Sequence, residues 1–144
     1  MNNKNRRVIG NRINEKIENI EKYLRHLNEL NIPEFEDYKN DFKTKAVCER
    51  LFEIIIEDII SIAFLIIREK KLTLPENEEH AFTILSNNKI LNPELAIRLK
   101  QAKDMRNRIV HNYITIDDEI VYNAITEELP KDAEEFLNEI AGRK

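Results

Sequence analysis

The sequence predicts an all-α protein, folded as an antiparallel up-and-down bundle of four to five helices. Only 2 Gly, 4 Pro and no Trp occur among 144 residues, while 42% of the residues are hydrophobic and 35% are charged. So few helix breakers, combined with many Leu, Ile, Glu and Lys residues, favour helices over strands. Apolar residues also recur at steps of three and four, which is the period of an amphipathic helix.

The first predicted helix covers residues 11–30. Charged side chains occupy much of its opposite face, and residues 31–33 end it because a residue that precedes proline resists helical geometry. Its apolar stripe consists of Ile13, Ile17, Ile20, Leu24, Leu27 and Leu30.

A second, longer helix is predicted over residues 38–70. Its first half is amphipathic, whereas residues 54–67 are apolar almost all round. A helix that is apolar on every side must be covered on every side. A bundle covers part of such a helix, and a partner subunit is expected to cover the rest, so the pattern indicates a homodimer.

Two further helices are predicted before the end of the chain. A short one covers residues 75–86. The next begins with Asn92 as its N-cap and Pro93 in its first turn, a favourable pairing of residue types at a helix start. Its apolar side carries Leu95, Leu99, Ala102, Met105 and Ile109.

The last helix is predicted to start within residues 115–119 and to run to Ala141. Pro130 is expected to bend it, and Gly142 is expected to end it.

Length and composition limit the classes of protein to which this chain can belong. A chain of 144 residues suits one domain over residues 1–144. The single Cys48 excludes an internal disulfide framework and favours a buried apolar role. The longest apolar run, residues 59–67, is much shorter than the roughly 20 residues of a membrane span, and no secretory signal is evident. We expect a soluble, cytoplasmic protein with no membrane contact.

Charge and histidine content exclude further classes. A net charge of −4 argues against a dedicated nucleic-acid coat, but it is compatible with an enzyme that contacts a few phosphates. His26 and His80 have no second ligand at helical spacing, so we predict neither a metal site nor a cofactor.

The residues most suited to chemistry lie at the end of the helix that starts at Asn92. Arg106, His111 and Tyr113 follow the spacing Arg, four residues, His, one residue, Tyr. Arginine supplies a permanent positive charge for a phosphate. Histidine exchanges protons near neutral pH. These side chains suit chemistry on a phosphodiester.

Helical geometry limits how Arg106 and His111 meet. Residues five apart are separated by about 140° around an ideal helix, whereas Asn107 and His111 share one stripe. Arg106 must reach round, the helix must end near His111, or a second subunit must bring its own copies alongside. We favour the last alternative.

Each of these residues also has a structural interpretation. His111 is a common residue type at a helix C-terminus, Tyr113 suits an interface, and Asp104 and Glu119 are possible ion-pair partners of Arg106. The local cations form either a positive patch or a solvated face. They are Arg98, Lys100, Lys103, Arg106 and Arg108.

With this motif the chain resembles the HepT-like toxins of the HEPN superfamily, whose pattern is the same Arg, four residues, His, one residue, Tyr. Asp104 and Met105 before it and Ile114 after it resemble the family's flanks. Helix order and length match over nearly the whole chain.

The resemblance implies a homodimeric helical bundle in which two motifs meet in an interfacial cleft. It further implies a metal-independent RNA endonuclease, the toxin of a type II or VII toxin–antitoxin pair, with a 2′,3′-cyclic phosphate product. His111 would be the acid–base and Arg106 the phosphate clamp, with Asn107 as a polar helper. A minimal nucleotidyltransferase antitoxin would transfer AMP to Tyr113.

Two other classes of function are compatible with the sequence. One is a non-catalytic helical module that binds a nucleotide or a nucleotidyltransferase. The other is a structural dimer in which Arg106, His111 and Tyr113 form an interface network. Turnover of RNA separates the nuclease from both.

Overall fold

The computed structural model describes residues 3–111 and 117–142, with side chains from residue 8 onward. The all-α prediction is confirmed: within these residues the structure is helical and contains no strand. The helices are α1 (Asn3–Glu29), α2 (Phe35–Tyr38), α3 (Phe42–Glu69), α4 (Glu78–Asn87), α5 (Pro93–Val110), α6 (Asp118–Asn123) and α7 (Leu129–Ile140), with a π-helical turn (Ala124–Glu128) between α6 and α7.

Helices α1 and α3 form the longest packed pair. The predicted stripe of α1 is its core face, since Ile20 and Leu27 are buried and Ile13, Ile17 and Leu24 pack against the core. The helix begins at Asn3 rather than at residue 11. The N-terminal turns lack the apolar repeat on which the prediction depended.

The single helix predicted over residues 38–70 is wrong at its start. The chain forms the short α2, turns, and begins α3 at Phe42. Asp41 caps α3, because its carboxylate accepts from the Thr44 backbone N–H at 3.1 Å and from the Thr44 hydroxyl at 2.7 Å. Such a cap marks a helix start, so Asp41 was a readable signal. Tyr38 is buried, with its ring 4.9 Å from that of Tyr122.

The second half of α3 lies in the centre of the molecule and is covered by α1, α4, α5 and α7. Most of its apolar side chains are buried in this one chain, and Phe64, at 36%, is the exposed large apolar residue among them. The inference of a dimer from this helix was therefore wrong in its reasoning, because the bundle itself supplies the cover.

The starts of α4 and α5 are set by side-chain caps. Asn92 accepts from the Glu94 backbone N–H at 2.8 Å with Pro93 in the first turn, which confirms the predicted start of α5. Helix α4 begins at Glu78, three residues later than predicted, because Asn77 is its cap.

The last part of the chain is helical with one irregularity. Asp117 caps α6. Before α7 the Leu129 backbone N–H bonds to the Ala124 carbonyl, five residues back, and Pro130 follows at once. The irregularity is this π-helical turn, which lies directly before Pro130, and the predicted bend at Pro130 stays a prediction. Gly142, with a φ of 73°, follows the end of α7 as predicted.

Two further observations concern the single cysteine and the length of the apolar helices. Cys48 is fully buried, and burial raises the pKa of its thiol to about 11. Across residues 3–111 and 117–142, no helix is both long and apolar enough to span a bilayer.

Candidate active site

The C-terminal end of α5 positions the predicted catalytic residues. The helix ends at Val110, and His111 follows as its C-cap, with its backbone N–H bonded to the Asn107 carbonyl at 3.0 Å. The His111 residue is exposed, and Asn107 is half-buried. The helix thus ends near His111, as one of the three alternatives requires, and the favoured alternative, a second subunit, stays a prediction.

Arg106 points into the region where α3, α4 and α5 converge. Its Nη2 donates to Glu78 Oε1 at 2.7 Å, and its Nη1 lies 3.8 Å from Glu57 Oε1. Only 11% of its side chain is exposed. The predicted local partners, Asp104 and Glu119, were wrong, because the guanidinium reaches across to other helices instead of along its own.

The first turn of α4 is held firmly beside α5. The Asn77 side chain accepts from the His80 backbone N–H at 2.8 Å, and His80 Nδ1 accepts from the Glu76 backbone N–H at 3.0 Å. Glu79 accepts from Lys103 Nζ at 2.8 Å. This hydrogen bond, with the charge of Lys103, lowers the pKa of the Glu79 carboxyl.

The predicted positive patch on α5 is largely neutralised. Arg98 bonds to Asp132 at 2.9 Å and to Glu135 at 2.7 Å, both on α7. Arg106 and Lys103 are paired as described above. Three of the five cations therefore serve contacts between helices, and the interpretation of this face as a free positive surface was wrong.

A separate groove, which Glu78 borders, is lined by three cationic side chains. It lies between α1, α3 and the segment before α4, and Arg12, Lys16 and Arg68 are its cations. Phe64 lies in its wall, and Glu78, already bonded to Arg106, lies at its edge. Cations beside an exposed aromatic ring are a combination that binds single-stranded nucleic acid.

The structure leaves part of the predicted site undescribed. Tyr113 and its neighbour Asn112 lie outside the described residues, so the predicted site of AMP transfer has no geometry here. In the part of the chain with coordinates, no group of three or more His, Cys, Asp or Glu side chains is arranged to hold a metal ion.

Sequence reasoning missed Glu57 and Glu78. Glu78 looked like an ordinary acidic residue in the first turn of a helix, a place where carboxylates are common. Glu57 directly precedes the apolar run of α3, and a charge at that point was a weak signal of a specific partner. The contact between Glu78 and Arg106 joins residues 28 positions apart, which local patterns do not reveal.

Comparison with known proteins assigns the family. The family model described as "Ribonuclease HepT-like" matches residues 13–140. The chain belongs to the HepT-like family.

Two relatives of this HepT-like chain carry nuclease names. It is 33% identical over 114 residues to a "tRNA nuclease HepT" of Aphanizomenon flos-aquae, covering 79% of this chain and 78% of the relative. It is 29% identical over 103 residues to an "mRNA nuclease HepT" of Shewanella oneidensis, covering 72% and 77%.

A solved structure has the same fold. The tri-AMPylated Shewanella oneidensis HEPN toxin, solved in complex with its MNT antitoxin, superposes with a TM-score of 0.84 at 24% identity, covering 99% of this HepT-like chain and 100% of the toxin. The likeness confirms the predicted fold, and the family model with the 33% identical relative confirms the resemblance to the HepT-like family.

Proposed function

We propose that this HepT-like chain is the toxin of a toxin–antitoxin pair, a metal-independent RNA endonuclease that acts in the cytoplasm. One observation carries the proposal: a fixed guanidinium, Arg106, precedes by five residues an exposed histidine, His111, at the end of α5. Family membership and the names of the two nuclease relatives support the choice of RNA.

RNA supplies its own nucleophile, which is why the reaction requires no metal. The 2′-hydroxyl attacks the adjacent phosphorus while His111 accepts its proton. The bond to the 5′ oxygen breaks, and a proton returns to that oxygen as it leaves. Arg106 stabilises the additional negative charge on the phosphate oxygens. The products are a 2′,3′-cyclic phosphate and a 5′-hydroxyl.

We infer that RNA approaches along the groove of Arg12, Lys16 and Arg68. Its cations attract the phosphate backbone, and the Phe64 ring offers a stacking surface. A homodimer would bring a second Arg106 and His111 to the same phosphate, with Asn107 as a polar neighbour. Because α3 is covered within one chain, the dimer now rests on the HEPN resemblance alone.

We infer that a minimal nucleotidyltransferase is the antitoxin and that it attaches AMP to Tyr113. The related Shewanella toxin was solved tri-AMPylated and in complex with an MNT antitoxin. Tyr113 follows His111 by two residues. An adenylate at that position adds negative charge and bulk beside the proposed acid–base, so it would repel and exclude RNA.

Cleavage of bulk tRNA and mRNA in excess chelator tests the nuclease. We expect the wild type to cut, Arg106→Ala to lose about 10²–10³-fold in kcat, and His111→Ala to lose about 10²–10⁴-fold. Mass spectrometry of the products should find 3′ ends one water lighter than a linear phosphate.

Arg98→Ala is the matched control for this experiment. It changes the same residue type on the same helix, and it also breaks contacts with two carboxylates. It should retain full turnover. Equal cleavage by wild type and His111→Ala would remove His111 from the mechanism. Saturable binding of ATP or of the transferase, without any RNA turnover, would replace the nuclease with a binding module.

Intact mass after co-expression with a minimal nucleotidyltransferase of the MNT type tests the switch. The toxin should gain mass in steps of one adenylate, and Tyr113→Phe should abolish the gain. Adenylation that persists in Tyr113→Phe would place the modification elsewhere.

A further inference from the structure

Glu78 makes the shortest contact that Arg106 has in the described chain. Its Oε1 accepts from Arg106 Nη2 at 2.7 Å, whereas Glu57 Oε1 stays 3.8 Å from Nη1. A guanidinium carries five N–H donors in a rigid fork. One hydrogen bond donated to Glu78 therefore fixes the orientation of the group and leaves N–H donors on Nη1 and Nη2 for a phosphate.

We propose that Glu78 is the positioning residue of the phosphate clamp: it holds the Arg106 guanidinium in the orientation that meets the transition state. This inference rests on the nuclease function proposed above. Glu78 acts through Arg106 and does not itself touch RNA.

The element that carries Glu78 is built to hold it in place. Asn77 caps α4, and the His80 side chain bonds to the Glu76 backbone, so the residues on both sides of Glu78 are fixed. Ala81 and Phe82 are fully buried in the following turn. Supporting contacts of this kind keep a functional side chain within the narrow geometric range that catalysis needs.

Besides Glu78, Arg106 is oriented by its looser 3.8 Å contact with Glu57 and by the packing around a side chain that is only 11% exposed. Its Nε is buried and has no hydrogen-bond partner among the described residues. Once the short bond to Glu78 is lost, Glu57 is the carboxylate of the described chain that remains beside the guanidinium, which is expected to shift toward it. Misplacement of a catalytic group by about 1 Å costs up to about 10²-fold in rate.

Replacing Glu78 by a neutral residue is expected to change kcat and KM in different ways. Ground-state binding of RNA depends on long-range attraction, and a carboxylate near the groove opposes it. Replacing Glu78 by a neutral residue therefore leaves KM unchanged or lower. Transition-state stabilisation depends on oriented donors, so kcat falls.

Glu79 provides a matched control for Glu78. It is the next residue in the same turn of α4 and also bonds to a cation of α5, but that cation is Lys103, at 2.8 Å. Glu78→Gln and Glu79→Gln thus remove the same charge from the same helix turn and break one ion pair each. Only the first change weakens the hold on Arg106, because the Gln oxygen can still accept a hydrogen bond but carries no charge.

Steady-state cleavage of RNA in chelator, with thermal melting of each variant, tests the proposal. We expect Glu78→Gln to lower kcat about 10- to 100-fold with KM unchanged or lower, and Glu79→Gln to retain wild-type kcat. Glu78→Asp keeps the charge on a shorter side chain and should recover part of the lost kcat. It also serves as the kinetic variant if melting shows Glu78→Gln to be unfolded.

NMR of the arginine side chains gives a readout independent of activity. The Arg106 Nε–H and Nη–H resonances, assigned by their loss in Arg106→Ala, should show restricted rotation in the wild type and in Glu79→Gln. They should show averaged rotation in Glu78→Gln.

The outcomes separate the two proposals. An active wild type with equal kcat in Glu78→Gln and Glu79→Gln, or a loss confined to KM, overturns the role of Glu78 and leaves the nuclease intact. A folded wild type that cuts no RNA overturns both.

Discussion

Two of the three arginines of helix α5, Arg98 and Arg106, look alike in their contacts and differ in what those contacts achieve. Each lies between two carboxylates. Arg98 bonds to Asp132 and Glu135, both on α7, at 2.9 and 2.7 Å. Arg106 makes one bond of 2.7 Å to Glu78 and a looser contact of 3.8 Å with Glu57, on two different helices.

The difference shows that the number of ion pairs does not identify a functional arginine. Arg98 uses both arms of its fork on one neighbouring helix and braces α5 against it. Arg106 has one short bond and precedes an exposed histidine, His111, by five residues. The buried residues of α5, Leu95, Ala96 and Leu99, all belong to its first half. We therefore infer that the first half of α5 stabilises the fold and that the C-terminal end of α5 takes part in the reaction.

Truncation of Leu95 should have the largest effect on folding. Leu95 is fully buried, so Leu95→Ala should lower the free energy of unfolding by about 2–5 kcal/mol. Ile97, two residues on and 53% exposed, should tolerate the same truncation within about 0.5 kcal/mol. Urea denaturation measures both, and equal losses would show that the first half of α5 is not the anchor.

Removal of the Arg98 side chain, which links α5 to α7, should have an intermediate effect on the free energy of unfolding. Arg98→Ala leaves Asp132, which is 7% exposed, without its guanidinium partner, and should cost about 1–3 kcal/mol in unfolding free energy. Turnover of the remaining folded protein should equal that of the wild type. A loss of kcat comparable to that of Arg106→Ala would erase the distinction between the two arginines.

Loss of the ion pair between Glu79 and Lys103 should have the smallest effect on stability, and that effect should depend on pH in a defined direction. Its contacts lower the pKa of the Glu79 carboxyl in the folded state. The stabilisation is therefore present above the unfolded pKa of about 4.3 and is lost as the pH falls through the lower folded value. The difference in Tm between wild type and Glu79→Gln should be small at pH 7 and disappear in acid. A difference that grows in acid would contradict this assignment.

Much of the fold was predictable because it depends on local patterns. The repeat of Ile13, Ile17 and Ile20 identified the core face of α1, and Asn92 with Pro93 identified the start of α5. The burial of α3 was also predictable. What covers it was not, because hydrophobicity shows that a surface must be buried and does not show by which neighbour.

The candidate site was predictable in its residue types and not in its contacts. The spacing of Arg106 and His111 indicated phosphodiester chemistry, and the family assignment agrees with it. The roles of Arg106, His111 and Asn107 stay predictions, as does that of Tyr113, which lies outside the described residues. Glu78 escaped notice because its contact depends on how α4 packs against α5, which is a property of the tertiary structure.

The π-helical turn before α7 sets the rotational phase of the final helices. The buried residues Val121, Ile125, Leu129 and Ala133 advance by four positions three times in succession. In an ideal α-helix each such step drifts by about 40° around the axis. The wider turn absorbs that drift and keeps these side chains directed at one core.

The five residues of this turn would therefore misplace α6 if they were all kept and wound as an ordinary α-helix. Restoring α-helical hydrogen bonding there would rotate α6 by about 100° relative to α7. Val121 would leave the core, and the exposed Ile120 and its neighbours would face a different direction. The extra residue thus sets the direction in which the side chains of α6 face relative to those of α7.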